Sequence, residues 1–303
     1  MTAPFPAARP SDPLGGILSL LFAVFAFSVM DALIKWLSAT YPTPQIIFFR
    51  GLFAFLPLSI FIARQGGLAA LRTQRPWSHA ARSLVGLTSM VLFFYAFAIL
   101  PLADVVAIGF AGPIFLTALS VPMLGEKVGI RRWCAVMAGF VGVVIMIRPG
   151  AGVVSLDALV PVAGAVGYAF AMVFVRKLTA TETIASIVFY FTAICTVLSG
   201  LAMPFLWVAP ASLMDWGMLA AVGLCGGFAQ LFMTYAFKLA PASLIAPFEY
   251  SAMIWGVLFG WLIWSELPDA YILTGAAIVI ASGLYILHRE TVNARARKAA
   301  AGG

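Results

Sequence analysis

Charge is what this sequence has least of. Asp, Glu, Lys and Arg together make up 10% of it, where soluble domains carry about 25%. So few charged groups exclude an ordinary water-exposed surface. Cysteine is scarce as well: Cys134, Cys195 and Cys225 each fall inside an apolar run, which supports neither a disulfide framework nor a metal site. Only His79 and His288 supply imidazole, and neither an HExxH nor a GxSxG motif occurs, so no enzyme, metal site or cofactor is expected. Apolar residues fill the space instead. They make up 63% of the chain, against about 45–50% ordinarily. A water-soluble core cannot absorb that excess, so the composition indicates an all-α polytopic membrane protein embedded in a lipid bilayer. The net charge of +7 is not read as nucleic-acid binding, because the basic residues sit in short loops.

One stretch is written twice. Tyr95, Ala96, Phe97, Pro101, Ile114 and Glu126 recur as Tyr235, Ala236, Phe237, Pro241, Ile254 and Glu266, always 140 positions on. Upstream, Leu37, Ala39, Thr40, Ile46 and Phe48 recur as Leu178, Ala180, Thr181, Ile187 and Phe189 at an offset of 141. Such an echo is the mark of an internal duplication. Each copy of the first stretch is an apolar run with a breaker in its middle, Gly112-Pro113 in one and Pro247 in the other. Broken hydrophobic helices at matching places in two halves point to a transporter's binding site. The plainer reading is that Pro113 and Pro247 only kink helices, which membrane helices tolerate.

Ten apolar runs follow in order: Leu14–Leu37, Pro44–Ala63, His79–Leu100, Leu102–Pro122, Val128–Ile147, Val153–Val175, Ile184–Leu206, Leu213–Phe237, Ala242–Ile263 and Ala270–Leu287. Each approaches the roughly 20 helical residues that a hydrocarbon core about 30 Å thick requires. With the amino terminus inside, 15 of the 18 basic residues fall on the cytoplasmic side, and only Lys35, Arg50 and Arg148 do not. The positive-inside rule therefore places both termini in the cytoplasm. Five helices per half is an odd number, so the second copy must be inserted upside down. The expected architecture is ten transmembrane helices as two inverted five-helix repeats: a cytoplasmic tail over 1–13, a first repeat over 14–149, a second over 150–288 and a basic cytoplasmic tail over 289–303.

With these residues in hand, the chain resembles the drug/metabolite transporter superfamily in its ten-helix form with two EamA domains. The marks are Ile99-Leu100-Pro101-Leu102, the apolar fourth helix with Pro113, Gly125-Glu126 after it, and a fifth helix carrying Gly139 and Gly142. The second half repeats them with Ser265 in place of Gly before Glu266. The resemblance runs from Gly15 to Leu287. The segments FSVMDALIKWL and QIIFFRG also resemble a bacterial subgroup that includes riboflavin and S-adenosylmethionine importers. The resemblance implies a secondary transporter of small organic metabolites in the bacterial inner membrane, working by alternating access. It does not name the cargo.

The chemistry has to come from the few polar residues inside the membrane. Asp31 and Arg50 each lie about 10 Å from the outer end of their helices at about 1.5 Å per residue. Opposite charges at one depth are expected to pair, since either alone is costly in hydrocarbon. Arg50, held by Asp31, would then meet an anionic or carbonyl group of the substrate. The alternative is a structural pair between Asp31 and Lys35, one turn away, with Lys35 snorkelling outward. Glu249 is the lone acid of the ninth run, two residues past Pro247. A carboxylate in that setting is a candidate for proton coupling, and the alternative is a salt bridge, for instance to Lys238. These charges break the internal symmetry: Asp31, Arg50 and Glu249 correspond to Met172, Phe191 and Gly109. Gln230, Tyr95, Tyr235, Tyr168, Tyr250 and Trp255 are further candidates to line a cavity and stack on a planar or cationic substrate. Aromatics in membrane helices more often pack or anchor at the interface. Gly256 and Gly260 form a GxxxG that permits close packing within one protomer or in a homodimer. Glu126 and Glu266 read as turn or cap groups at helix ends. The expected function is a carrier for a planar or zwitterionic metabolite (riboflavin-, S-adenosylmethionine- or amino-acid-like), with a facilitative exporter or channel-like pore as the alternative.

Overall fold

The computed structural model describes residues 12–125, 129–147, 156–179, 181–239 and 246–301, and every regular element among them is helical. The helices are α1 (Pro13–Ser38), α2 (Thr43–Arg64), α3 (Pro76–Ile99), α4 (Leu102–Gly109), α5 (Gly112–Leu124), α6 (Ile130–Ile147), α7 (Leu156–Leu178), α8 (Ile184–Leu206), α9 (Leu213–Leu239), α10 (Ala252–Trp264) and α11 (Ala270–Ala301). Short 3₁₀ turns lie at Gly67–Leu71 and Ala246–Ser251. The amino-terminal tail as far as residue 11, Glu126 and Pro241 lie outside the described residues.

The local signals that start and stop these helices are visible in the chain. The Asp12 side chain accepts from Gly15 N at 2.9 Å and Pro13 opens the first turn of α1. A proline preorganises a helix start because its missing N–H has no partner there anyway. Proline opens α2, α3 and α5 in the same way. Thr183 caps α8 by accepting from Ser186 N at 3.0 Å. Asp269 caps α11 by accepting from Tyr271 N and Ile272 N, each at 3.0 Å.

Seven helical stretches are long and apolar enough to cross a membrane, one of them the broken pair α4–α5. Three apolar helices are shorter: Trp133–Ile147, Phe248–Trp264 and Ala270–Ile286. Large apolar side chains also point outward at helical spacing: Leu52, Leu56 and Ile60 on α2, Met137, Val141 and Val144 on α6, and Leu198, Leu201 and Phe205 on α8 are all exposed. In water such stripes would be aggregation surfaces, whereas against lipid they are the ordinary outer wall. The chain is an all-helical polytopic membrane protein.

Two expected runs are not single helices. The fourth is interrupted at Phe110-Ala111, and the ninth holds a 3₁₀ turn before α10. The last helix runs on to Ala301 rather than stopping near Leu287, because the Ala-, Arg- and Lys-rich tail is made of strong helix formers.

α1 packs along α9, α3 along α7, and α6 along α11, while α2 crosses α8 and α9, α3 crosses α8, and α4 meets α10. The α6–α11 crossing is close: a Cβ on Gly142 would stand 2.8 Å from Gly275 O, and one on Gly275 would stand 2.6 Å from Gly142 O. Gly256 and Gly260 of the GxxxG pack within the chain, against Val106 and Ala103 of α4 and near Leu102. That face is therefore occupied by the protein's own helix. One apolar cluster is built around Ile34, Ile46, Ile47, Phe94 and Leu219, and another around Ile108, Ile114, Val136, Val143 and Val279.

Candidate functional site

The bundle has two unlike ends. Asp12 N donates to Leu239 O at 3.1 Å, so the start of α1 and the end of α9 share one face, here the terminal face. Arg64 ends α2 on the same side, and Arg72 and Arg75 lie between α2 and α3.

The opposite, far face is tied together by partly buried polar contacts. Lys35 Nζ donates to Glu266 Oε2 at 2.8 Å and Oε1 at 2.9 Å, and to Leu100 O at 2.8 Å. Glu266 Oε2 also accepts from Leu102 N at 3.4 Å. The Lys35 side chain is 9% exposed, and its ammonium lies 5.2 Å from the centre of the Trp264 ring. One ion pair thus gathers the ends of α1, α3 and α10 and the start of α4. Beside it, Gln45 Nε2 donates to Val208 O at 2.8 Å while Val208 N donates back to Gln45 Oε1 at 3.0 Å. The structure therefore overturns the Asp31–Lys35 alternative: a carboxylate nearer the surface takes the ammonium, and Glu266 is a cross-brace as well as a cap.

At mid-depth, between α2, α3, α8 and α9, lies a cavity of about 50 Å³. Arg50 and Arg82 line it with Phe191, Thr192, Gln230 and Thr234. Its wall continues past Ala54 and Leu58 to Phe61 on α2, toward the terminal face. The Arg82 Cζ lies 3.7 Å from the centre of the Phe191 ring and the Arg50 Cζ lies 5.9 Å from it. Gly86 makes room for that ring, since a Cβ there would meet Phe191 Cε2 at 2.9 Å. Arg50 Nε and Arg82 Nε and Nη1 are buried without a hydrogen-bond partner among the described residues.

The direct Asp31–Arg50 pair expected from depth alone is not formed. Each residue feels the other's charge, but no ion pair of 4.0 Å or less joins them among the described residues. Arg50 turns its guanidinium to the aromatic ring and the cavity instead.

Glu249 sits on the 3₁₀ turn, partly buried, with no hydrogen bond or ion pair among the described residues. Tyr168 and Tyr250 both lie within reach of its charge, and Tyr168 also within reach of that of Arg82. The side chain of Lys238, weighed above as a partner, lies outside the described ones. Tyr168 is 44% exposed and abuts Gly112 at the α4–α5 break, while the Tyr250 ring meets Phe110 at 5.1 Å. Pro113 lies in the first turn of α5, just past that break, and Pro247 lies in the 3₁₀ turn.

The remaining candidates are elsewhere. Tyr95 and Tyr235 are 50% and 54% exposed and do not line the cavity. Trp255 packs on Phe25 and Phe259, with ring centres 4.8 and 5.9 Å away, and does not line the cavity.

Arg82 and Phe191 were not among the sequence candidates. The positive-inside count takes Arg82 with the basic loop residues that set orientation. It lies six residues into α3, inside the third apolar run, and a charge inside such a run is a site candidate by default.

The EamA-like transporter family model matches this chain twice, over residues 14–148 and 157–288. The chain belongs to that family. It is 35% identical over 269 residues to the pseudopaline exporter CntI of Pseudomonas aeruginosa, covering 88% of this chain and 93% of that protein. It is 30% identical over 289 residues to a riboflavin transporter of Rhizobium johnstonii, covering 94% of each. It is 29% identical over 279 residues to an S-adenosylmethionine uptake transporter of Rickettsia prowazekii, covering 91% of this chain and 94% of that one. A solved crystal structure superposes with a TM-score of 0.62 at 19% identity, over 89% of this chain and 95% of that one, a likeness of fold. This EamA-family chain is thus a membrane transporter and not an enzyme.

Proposed function

We propose that this protein is a secondary carrier that moves a small organic metabolite across the bacterial inner membrane by alternating access, with both termini cytoplasmic and Glu249 coupling transport to protons. The observation that carries the reading is the arginine-bearing cavity at mid-depth between helices of the two halves, beneath a far face braced by Lys35–Glu266. At about 50 Å³ it is far below the roughly 300–1,000 Å³ of a metabolite pocket. A whole cargo requires the helices to part, which is the motion that alternating access demands.

An inverted repeat is supported by the packing. Exchanging the two halves turns the α1–α9 pair into α7–α3 and the α2–α9 pair into α8–α3, and leaves α2–α8 and α6–α11 as they are; all of these pairs occur. α5 and α10 start at residues 112 and 252, again 140 apart. The cargo is read as planar or zwitterionic, in keeping with the riboflavin and S-adenosylmethionine named for the relatives. Those relatives include both an uptake transporter and an exporter, so direction is a property of the individual carrier.

Proteoliposomes with an imposed proton gradient test the reading. Wild type should concentrate its substrate and lose that ability with a protonophore. Glu249→Gln, a mimic of the protonated acid, should still exchange labelled for unlabelled substrate yet fail to concentrate it. Concentration by Glu249→Gln at the wild-type level would move the coupling site elsewhere, and flux that ignores the proton gradient would make the protein a facilitator. Thiol labelling of cysteines placed at 72 and 269 with an impermeant reagent reads the orientation; access to position 72 from outside would end the inverted-repeat argument.

A further inference from the structure

We infer that Arg50 and Arg82 form a two-armed clamp for a carboxylate of the transported molecule, so that the cargo is an organic anion or zwitterion bearing a free carboxylate. The inference rests on the carrier reading of the cavity and narrows its cargo.

Two guanidiniums share one small cavity and one aromatic ring, 3.7 and 5.9 Å from its centre. Like charges so placed repel each other, and the ring offers each only a modest cation–π attraction. No carboxylate of the described residues lies within ion-pair distance of either. Three of their nitrogens, Arg50 Nε and Arg82 Nε and Nη1, are buried without a hydrogen-bond partner among the described residues. Buried polar groups left in this way destabilise a fold and call for an explanation. A bound anion supplies one, because the planar guanidinium fork matches a carboxylate in two parallel bonds.

The rest of the wall agrees. Gln230 brings an amide to the cavity, and Thr192 and Thr234 line it beside the arginines. The space of about 50 Å³ accepts a carboxylate-sized group while the remainder of the cargo waits for the helices to part. Charge favours a carboxylate over a phosphate. Asp31 lies close enough to act on Arg50 and offsets part of the positive charge of the two arginines, which suits a singly charged carboxylate better than a phosphate dianion. A purely cationic cargo would meet two guanidiniums head on.

The test uses the full chain in proteoliposomes loaded with a metabolite mixture, with mass spectrometry reading what crosses. Compounds that cross should carry a free carboxylate. Arg82→Gln should raise their half-saturation concentration about 10- to 100-fold, the range for losing hydrogen bonds to a charged group. Arg82→Lys, which keeps the charge and loses the fork, should fall between. Cargo lacking a carboxylate, cargo bearing phosphate alone, or an unchanged half-saturation in Arg82→Gln overturns the clamp while leaving the carrier intact. If wild type moves nothing, the carrier reading fails and binding judges the clamp. In nanodiscs, succinate at low millimolar concentration should raise the melting temperature of wild type. It should do so neither for Arg50→Gln/Arg82→Gln nor when dimethyl succinate replaces it. An equal rise in wild type and double variant marks a general salt effect and overturns the clamp.

Discussion

The two halves of the chain are alike where they hold each other and unlike in the charges they place inside the membrane. The first half places Asp31 and Arg50 where the second, 141 positions on, has Met172 and Phe191. It places Arg82 where the second, 140 positions on, has Val222. The second half in turn places Glu249 where the first has Gly109. Arg50 and its own counterpart Phe191 face each other across the cavity, 5.9 Å apart. Shared features such as helix starts, caps and packing partners build the scaffold. Charges present in one half alone are free to carry chemistry that a symmetric pair could not.

The largest break in this comparison comes from removing its charged side. Arg50→Ala should lower transport at least 100-fold, because it removes an arm of the site and leaves Asp31 without the nearby cation. Asp31→Asn with Arg50→Gln should restore expression and folding better than either single change, and should not restore transport. Uptake assays paired with the monodisperse yield of purified protein separate the two effects. Normal transport by Arg50→Ala would remove Arg50 from the site and make the asymmetry incidental.

The scaffold was legible in the sequence and the site only partly so. Membrane helices announce themselves by apolar length, and duplication by constant offset, because both are local properties of the chain. Depth along a helix was legible too, and it singled out Arg50. Azimuth was not. Asp31 and Lys35 share a helix face, yet Lys35 reaches Glu266, more than two hundred residues away, since only the fold brings the end of α10 to that of α1. Tyr95 and Tyr235 repeat faithfully and yet stay off the cavity wall, because repetition marks scaffold. Arg82 was lost to the rule that found the orientation, which treats every basic residue near a helix end as a loop residue.

A smaller effect should follow from loosening the far face. The Lys35–Glu266 pair is partly screened, with Glu266 30% exposed, so it is worth about 1–2 kcal/mol rather than the value of a fully buried pair. Glu266→Gln keeps the cap and the Leu100 acceptor but drops the charge. It should raise the share of molecules open at that face about 5- to 30-fold. In a background without Cys134, Cys195 and Cys225, a cysteine placed at Ile34, fully buried in this structure, should react faster with an impermeant maleimide in Glu266→Gln than in the parent. An unchanged rate would reduce the pair to a static brace.

The smallest effect probes the repeat itself. Gly125 ends α5 at φ 66°, and its N–H bonds Val121 O at 3.1 Å. Ser265, 140 positions on, ends α10 at φ 57°, and its N–H bonds Trp261 O at 3.0 Å. Ser265 is the one non-glycine with positive φ among the described residues. A left-handed residue with a Cβ costs about 1–2 kcal/mol, part of which glycine forfeits through its freer unfolded chain. Ser265→Gly should therefore stabilise the protein by about 0.5–1 kcal/mol, and Gly125→Ser should destabilise it by a similar amount. Both are read as small opposite shifts in melting temperature of the purified protein. Opposite signs would show that the two caps are one device inherited twice, with serine the strained copy. A fall on Ser265→Gly would mean that the serine hydroxyl does something at the far face that glycine cannot, and the two ends of the repeat would then differ in chemistry as the cavity does.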